Sequence, residues 1–306
     1  MDIKETKGAP DVHIKNPVEW FFAQLEATAE ATAIVGGTSA DEYWSHLPAD
    51  RLPDVQKIGV ADVKAAMKQG LEDFFAARTD VIFLCLIYPV IGIFLAAVTG
   101  RGGLLPLLFP VASGFALLGP FFAIGLYEMS RRREMTGVIK WSDSFAVLKS
   151  PSILPVIGLG IVLILLFLTW LAVAQAIYDF TLGPLPPPSV AWFVTALLST
   201  GAGWAMIIIG TAVGAVFAAI VLAISVVSFP LLLDSHFGFI TAVETSLKAM
   251  KTDPVALVVW GLIVAVLLFV GSLPCFLGLV IVLPVLGHST WHLYRRLIRP
   301  YTVPVL

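Results

Sequence analysis

Two histidines, His288 and His292, stand four residues apart, so on a helix they share one face and could grip one metal ion. Asp234 or Glu128 would supply a third, oxygen ligand, which makes His288, His292 and Asp234 the divalent-metal set to consider. His236 and Tyr294 complete a polar group in which each member closes a long apolar run: Tyr127-Glu128, Asp234-Ser235-His236, and His288 through Tyr294. No glutamate adjoins His288 as in the His-Glu-x-x-His zinc motif. A plainer account of the same residues is an interfacial belt, with His288, Trp291, His292 and Tyr294 seated beside arginines at a helix end. Glu128 and Asp234 can likewise be read as structural partners of Arg131–Arg133 and His236. No serine or cysteine has a base and an orienting acid nearby in sequence, and no glycine-rich loop precedes a helix. Catalysis is therefore not the expected role, and no cofactor is expected beyond that candidate metal.

These residues need long apolar helices to hold them. Hydrophobic residues make up 58% of the 306, and mean hydropathy is +0.92, which soluble domains do not reach. Apolar runs at 81–99, 104–128, 153–177, 205–233, 255–273 and 276–291 approach or exceed the length needed to cross ~30 Å of hydrocarbon. Lys and Arg sit almost wholly on one parity of the intervening loops: Arg131, Arg132, Arg133, Lys140, Lys149, Lys248, Lys251, Arg295, Arg296 and Arg299, with Arg101 the exception. By the charge rule this places both termini in the cytoplasm, with Arg131–Arg133, Arg295 and Arg296 as orientation anchors. The expected fold is all-α: six transmembrane helices, N-in and C-in.

Charge is divided along the chain. Residues 1–80 hold 8 basic and 14 acidic side chains, whereas residues 81–306 hold 11 basic and 7 acidic. An acidic head argues against nucleic acid, which a basic surface must neutralise. Cys85 and Cys275 lie in or beside apolar runs and form no ligand pattern. Residues 1–58 are expected to form an acidic, partly helical cytoplasmic extension without a signal peptide. Residues 59–80 read as an interfacial amphipathic helix, 81–298 as the membrane domain and 299–306 as a cytoplasmic tail.

In that interfacial helix Val60, Val63, Met67, Leu71 and Phe74 recur every three or four residues, with Asp62, Lys64, Lys68, Glu72 and Asp73 on the other faces. Similar short helices are expected from Ser142 to Pro151 and from Thr241, where Thr241-Ala-Val-Glu244 spells a capping box facing Val243, Leu247 and Met250 inward. The chain thus reads as three units, each an amphipathic helix followed by a helical pair. Residues 190–202 read as an outward-side helix or extended approach, Ser272–Cys275 as a tight hairpin turn, and Gly210-x-x-x-Gly214 as a close-packing face.

Gly119-Pro-Phe-Phe-Ala-Ile-Gly-Leu-Tyr-Glu-Met-Ser-Arg-Arg-Arg-Glu134 resembles the signature of a bacterial family of integral membrane proteins, domain of unknown function 2189. Phe229-Pro-Leu-Leu-Leu-Asp234 and Leu283-Pro-Val-Leu-Gly-His-Ser-Thr-Trp-His-Leu-Tyr294 resemble the same family, so the likeness runs over about residues 57–298. It implies a bacterial inner-membrane location. Some members carry the label of a cytochrome c oxidase subunit, but five histidines, two of them at His13 and His46, cannot furnish a haem–copper core. The remaining expectation is a non-catalytic binding, scaffold or assembly protein that meets lipid along its spans and a protein at its cytoplasmic face. A transporter for a small apolar or zwitterionic solute or lipid, and a metal-dependent enzyme at the rim, are the alternatives.

Overall fold

The computed structural model describes residues 53–85, 105–235, 237–274 and 276–298, together with Val90, Ile93 and Ala97. Most of the expected first span, the extension before residue 53, His236, Cys275 and the tail after residue 298 lie outside the described residues. The described residues are helical throughout, with one isolated antiparallel bridge between Val55 and Ile298 and no strand.

The helices are α1 (Val60–Cys85), α2 (Leu108–Leu117), α3 (Gly119–Phe122), α4 (Ile124–Thr136), α5 (Ile153–Thr181), α6 (Val190–Ser199), α7 (Gly201–Ser225), α8 (Ser228–Asp234), α9 (Phe239–Thr252), α10 (Pro254–Ser272) and α11 (Leu279–Leu297). A 3-10 turn, Leu105–Leu107, precedes α2, and a 3-10 segment, Trp141–Lys149, joins α4 to α5. That segment stands where a short helix was expected, and Asp143 caps it by accepting the Lys140 N–H at 3.2 Å.

The helix ends follow from local chemistry. Pro120 and Pro230 have no N–H to give to the preceding turn, so α2–α4 and α7–α8 are each one apolar run broken beside its proline. Pro284 lies inside α11 without ending it. Asp253 closes α9 and opens α10, its carboxylate accepting the Ala256 N–H at 3.1 Å. The expected capping box does not form: the cap is Gly238, three residues before Thr241, and α9 begins at Phe239. Its buried face is Ala242, Thr245, Ser246 and Ala249, and Leu247 is exposed.

Among the described residues, three helical stretches are long and apolar enough to cross a membrane: Ile153–Thr181, Gly201–Asp234 and Pro254–Ser272. Many of their large side chains point outward; Leu165, Ile208 and Phe269 are 58%, 64% and 64% exposed. In water so much bare apolar surface would be costly, whereas in hydrocarbon it costs nothing. α6, at ten residues, is a separate helix too short to cross. It meets α7 at Thr200, and a Cβ on Gly203 would lie 2.3 Å from the Ala196 and Leu197 carbonyl oxygens. The expected glycine face is split. A Cβ on Gly214 would meet Trp170 at 3.1 Å, but Gly210 faces open space.

The tightest packing is between α1 and α11. On α1 the buried residues Val63, Ala66, Gly70, Asp73 and Ala77 recur at alternating three- and four-residue steps, the seam of two helices in long contact. Their small size lets α11 come close, and a Cβ on Gly70 would sit 2.7 Å from the Ser289 Cα. The helices run antiparallel. Gln56 N–H donates to the Leu297 carbonyl at 2.7 Å, and the Ile58 N–H donates to Asp253 at 3.0 Å. Of the residues expected on its apolar face, Val63 and Phe74 are buried while Val60 and Leu71 are exposed, and Asp73, expected on another face, is buried. α10 and α11 form the expected hairpin, with Gly278 packed against the Gly271 backbone and Phe276 in the left-handed region at φ 65°.

Candidate functional site

Where α1, α4 and α11 meet, one buried carboxylate gathers four side chains. Asp73 Oδ2 accepts from the Ser130 hydroxyl at 2.6 Å and from His292 Nε2 at 2.9 Å, and Arg133 holds Oδ1. Ser130 Oγ also lies 2.8 Å from His288 Nδ1. An ionised carboxylate can only accept, so the Ser130 proton points to Asp73. Ser130 must then accept from His288 Nδ1–H. The order of donation is His288 to Ser130 to Asp73, with His292 and Arg133 donating from the other side. This tautomer leaves His288 Nε2 as a buried lone pair with no hydrogen-bond partner among the described residues. Burial pushes the Asp73 carboxyl up, but the hydrogen bonds from His292 and Ser130 and the two imidazoles outweigh it and hold the group below its ordinary value.

A second cluster lies one turn further along α11. Asp234, at the end of α8, accepts from Tyr294 OH at 2.8 Å and from Arg295 Nη1 at 3.2 Å. Arg295 reaches Glu134 with Nε at 3.1 Å and Nη2 at 3.0 Å, and lies 6.0 Å from the Trp291 ring centroid. Trp291 Nε1 donates to the other Glu134 oxygen at 3.1 Å. Burial, then the adjacent Asp234, raises the Tyr294 hydroxyl well above its ordinary value, so it stays protonated and donates. Burial lowers the Arg295 guanidinium, but Asp234 and Glu134 more than offset this and raise it.

The third cluster is local. Glu128, almost fully buried, accepts from Arg131 Nε at 2.7 Å and from Arg132 Nε at 2.7 Å, three and four residues on. Arg132 also reaches Asp143 at 3.3 Å. The Glu128 hydrogen bond leads the interactions that raise the Arg132 guanidinium.

The metal set expected from the sequence is divided by these partners. His288 and His292 share the Asp73 cluster, and Asp234 is held by Tyr294 and Arg295. No three His, Cys, Asp or Glu side chains converge as ligands among the described residues. Glu128 joins neither group, and His236 lies outside the described residues. The expected anchors are ties as well: Arg133 to Asp73, Arg131 and Arg132 to Glu128, Arg295 to Asp234 and Glu134, and Arg296 to Gln69 at 2.7 Å.

Sequence reasoning missed Asp73, Ser130, Glu134 and Gln69. The three-four spacing of small residues on α1 carries the signal for Asp73; nothing near Ser130 announces its role. The Ser130–His288 pair has the distance of a nucleophile and its base. Yet Ser130 is 1% exposed and His288 0%, and the hydroxyl proton is committed to Asp73. No substrate carbonyl can reach that oxygen.

No curated protein and no solved structure matches the chain. Residues 108–234, from α2 through α8, match the model of a family described as "Predicted integral membrane protein (DUF2189)". The match takes in Ser130, Arg131–Arg133, Glu134 and Asp234, and stops before α11. Over that stretch the chain carries the signature of this family, and it is an integral membrane protein.

Proposed function

We propose that this is a non-catalytic membrane protein of six spans, with both termini in the cytoplasm of a bacterial cell. It binds, or helps assemble, a protein partner through its cytoplasmic face. The observation that carries this reading is the mutual satisfaction of the polar groups at one end of the bundle. Asp73, Glu128, Glu134 and Asp234 each hold an arginine of the chain itself, which favours a rigid platform over a catalytic cleft. Beside it Met135, Val138 and Leu148 are exposed apolar side chains, with Lys140 and Lys149 exposed among them. Apolar surface rimmed by charge is the usual composition of a recognition site. A rim metal enzyme built on His288, His292, Asp234 and Glu128 is less favoured, because those groups are engaged in three separate clusters.

Two measurements test this. With Cys85→Ser and Cys275→Ser as background, single cysteines at Lys57, Lys149, Lys251 and Leu185 are challenged with an impermeant maleimide on spheroplasts. The topology requires that only the Leu185 position label until the membrane is opened. For the partner, a photo-crosslinking residue is placed at Val138 and at Leu148 in cells. A discrete adduct from both positions, and none from Leu185, is expected. Absence of any adduct at Val138 and Leu148 would sink the partner reading while leaving the topology standing.

A further inference from the structure

Between α1 and α10 runs a groove of about 540 Å³, within the ~300–1,000 Å³ of ordinary ligand sites. Val259, Leu262, Ile263 and Val266 form one wall, at the spacing of a single helix face; Met67 and Lys64 form the other. The groove follows from the α1–α11 seam. Small residues draw α1 onto α11, so α1 meets the start of α10 at the Ile58–Asp253 bond and leaves a cleft beyond it. Lys64 is the only charged group in the lining. Among the described residues it forms no ion pair: Asp62 turns to Arg296, and Lys68 pairs with Glu72.

Charge and apolar surface are therefore ordered along the groove. Its Lys64 end lies toward the Ile58–Asp253 bond at the start of α10. Away from that bond its apolar wall follows α10, a helix long and apolar enough to cross a membrane. Beyond Met67 the same face of α1 continues with exposed Leu71 and Phe75. An amphiphile with an anionic head and a long chain matches this order, and a chain pressed between two helices touches two walls where lipid on a convex helix touches one.

We propose that the groove binds one anionic phospholipid, its phosphate at Lys64 and an acyl chain along Leu262 and Val266. The proposal rests on the membrane reading of α10 and not on the partner reading, so the adduct experiments above fail or succeed independently.

The test uses the full chain in mild detergent, with phosphatidylglycerol or phosphatidylcholine added and bound lipid counted by native mass spectrometry. The wild type is expected to retain one phosphatidylglycerol in preference to phosphatidylcholine. Lys64→Glu should reduce that preference about fivefold or more, and Lys251→Glu, at an exposed cation outside the groove lining, should leave it unchanged. Leu262→Trp, at a half-exposed position, fills the groove and should abolish retention of the single lipid with the fold intact by tryptophan fluorescence. Equal retention of the two lipids by the wild type would overturn the proposal. So would a Lys64→Glu loss no greater than that of Lys251→Glu. A photo-crosslinker at Leu262 that captured residues 86–104 or a second copy in place of lipid would also overturn it.

Discussion

Gly70→Ala separates packing from propensity because the two predict opposite signs. In an ordinary helix the change stabilises by about 1 kcal/mol, since glycine is the poorer helix former. At Gly70 the new Cβ would lie 2.5 Å from the Ser289 N, 2.7 Å from its Cα and 2.0 Å from its Oγ. Carbon contacts settle at about 3.5–4.0 Å, so α1 and α11 must part by roughly 1 Å. Overpacking of this kind costs about 1–3 kcal/mol. The same movement stretches the 2.9 Å bond from His292 on α11 to Asp73, one turn away, beyond hydrogen-bond range. That adds about 1 kcal/mol. Set against the gain in helix propensity, the net loss is about 1–3 kcal/mol, or roughly 2–12 °C of melting temperature at the usual ~2–4 °C per kcal/mol. Thermal unfolding in mild detergent, followed by tryptophan fluorescence, reads it. Gly158→Ala and Gly210→Ala are the controls, because both glycines are helical and their added Cβ would meet nothing within 4 Å. Ser289→Gly should not rescue Gly70→Ala, since the backbone atoms remain. If Gly70→Ala melts within about 2 °C of Gly158→Ala, the close crossing of α1 and α11 is wrong.

Asp73→Asn leaves Arg133 and His292 without their carboxylate and should cost about 3 kcal/mol near neutrality. Because the folded carboxyl lies below its ordinary 3.8, the wild-type advantage is present above that value and is lost as pH falls through the lower folded one. The gap between the two proteins in acid unfolding should therefore begin to narrow only below about pH 4; a gap that stays constant as pH falls further would exclude Asp73 as the titrating group. Tyr294→Phe removes a buried bond to Asp234 and should cost about 2 kcal/mol. The raised Tyr294 hydroxyl favours the folded state only when protonated, so wild-type stability should fall above about pH 10 and the variant should lose that slope. Spectrophotometric titration should show one tyrosine that ionises only on unfolding.

The apolar spans, the proline-broken runs at Pro120 and Pro230, and the Asp253-Pro254 stop were legible because each depends on neighbours within a turn or two. The α1 face was not. Hydropathy weighs Val60 and Leu71 heavily and Ala66, Gly70 and Ala77 lightly, yet the seam is made by the small residues, whose merit is closeness. Asp73 looked like a solvated acid because its partners stand 57, 60 and 219 residues away. The Thr241–Glu244 pattern failed for a related reason. The helix already starts at Phe239, after the extended Gly238, so the box fell inside its first turns. Glu128, Asp234, His288, His292 and Tyr294 read from the sequence as one polar rim. Their division among three clusters was not legible, because Asp73, Ser130 and Glu134 stand far in the chain from the α11 residues they join. Asp234 could be read as a metal ligand or as a structural partner, and in the structure it accepts from Tyr294 and Arg295.

The α1–α11 seam also sets an order of events in synthesis. At roughly 5–20 residues per second, His292 follows Asp73 by about ten to forty seconds, given the 219 residues between them. Throughout that interval the narrow face of α1 has no cover, and an acid destined for burial has only Ser130 and Arg133 to meet. A chain stopped before α11 would therefore display a charged, unfilled notch beside its first helix, the kind of surface that membrane proteases and chaperones recognise. Arrival of α11 closes the notch and brings His292 to the acid in one step, so the contact that holds the folded protein is also among the last the chain can make.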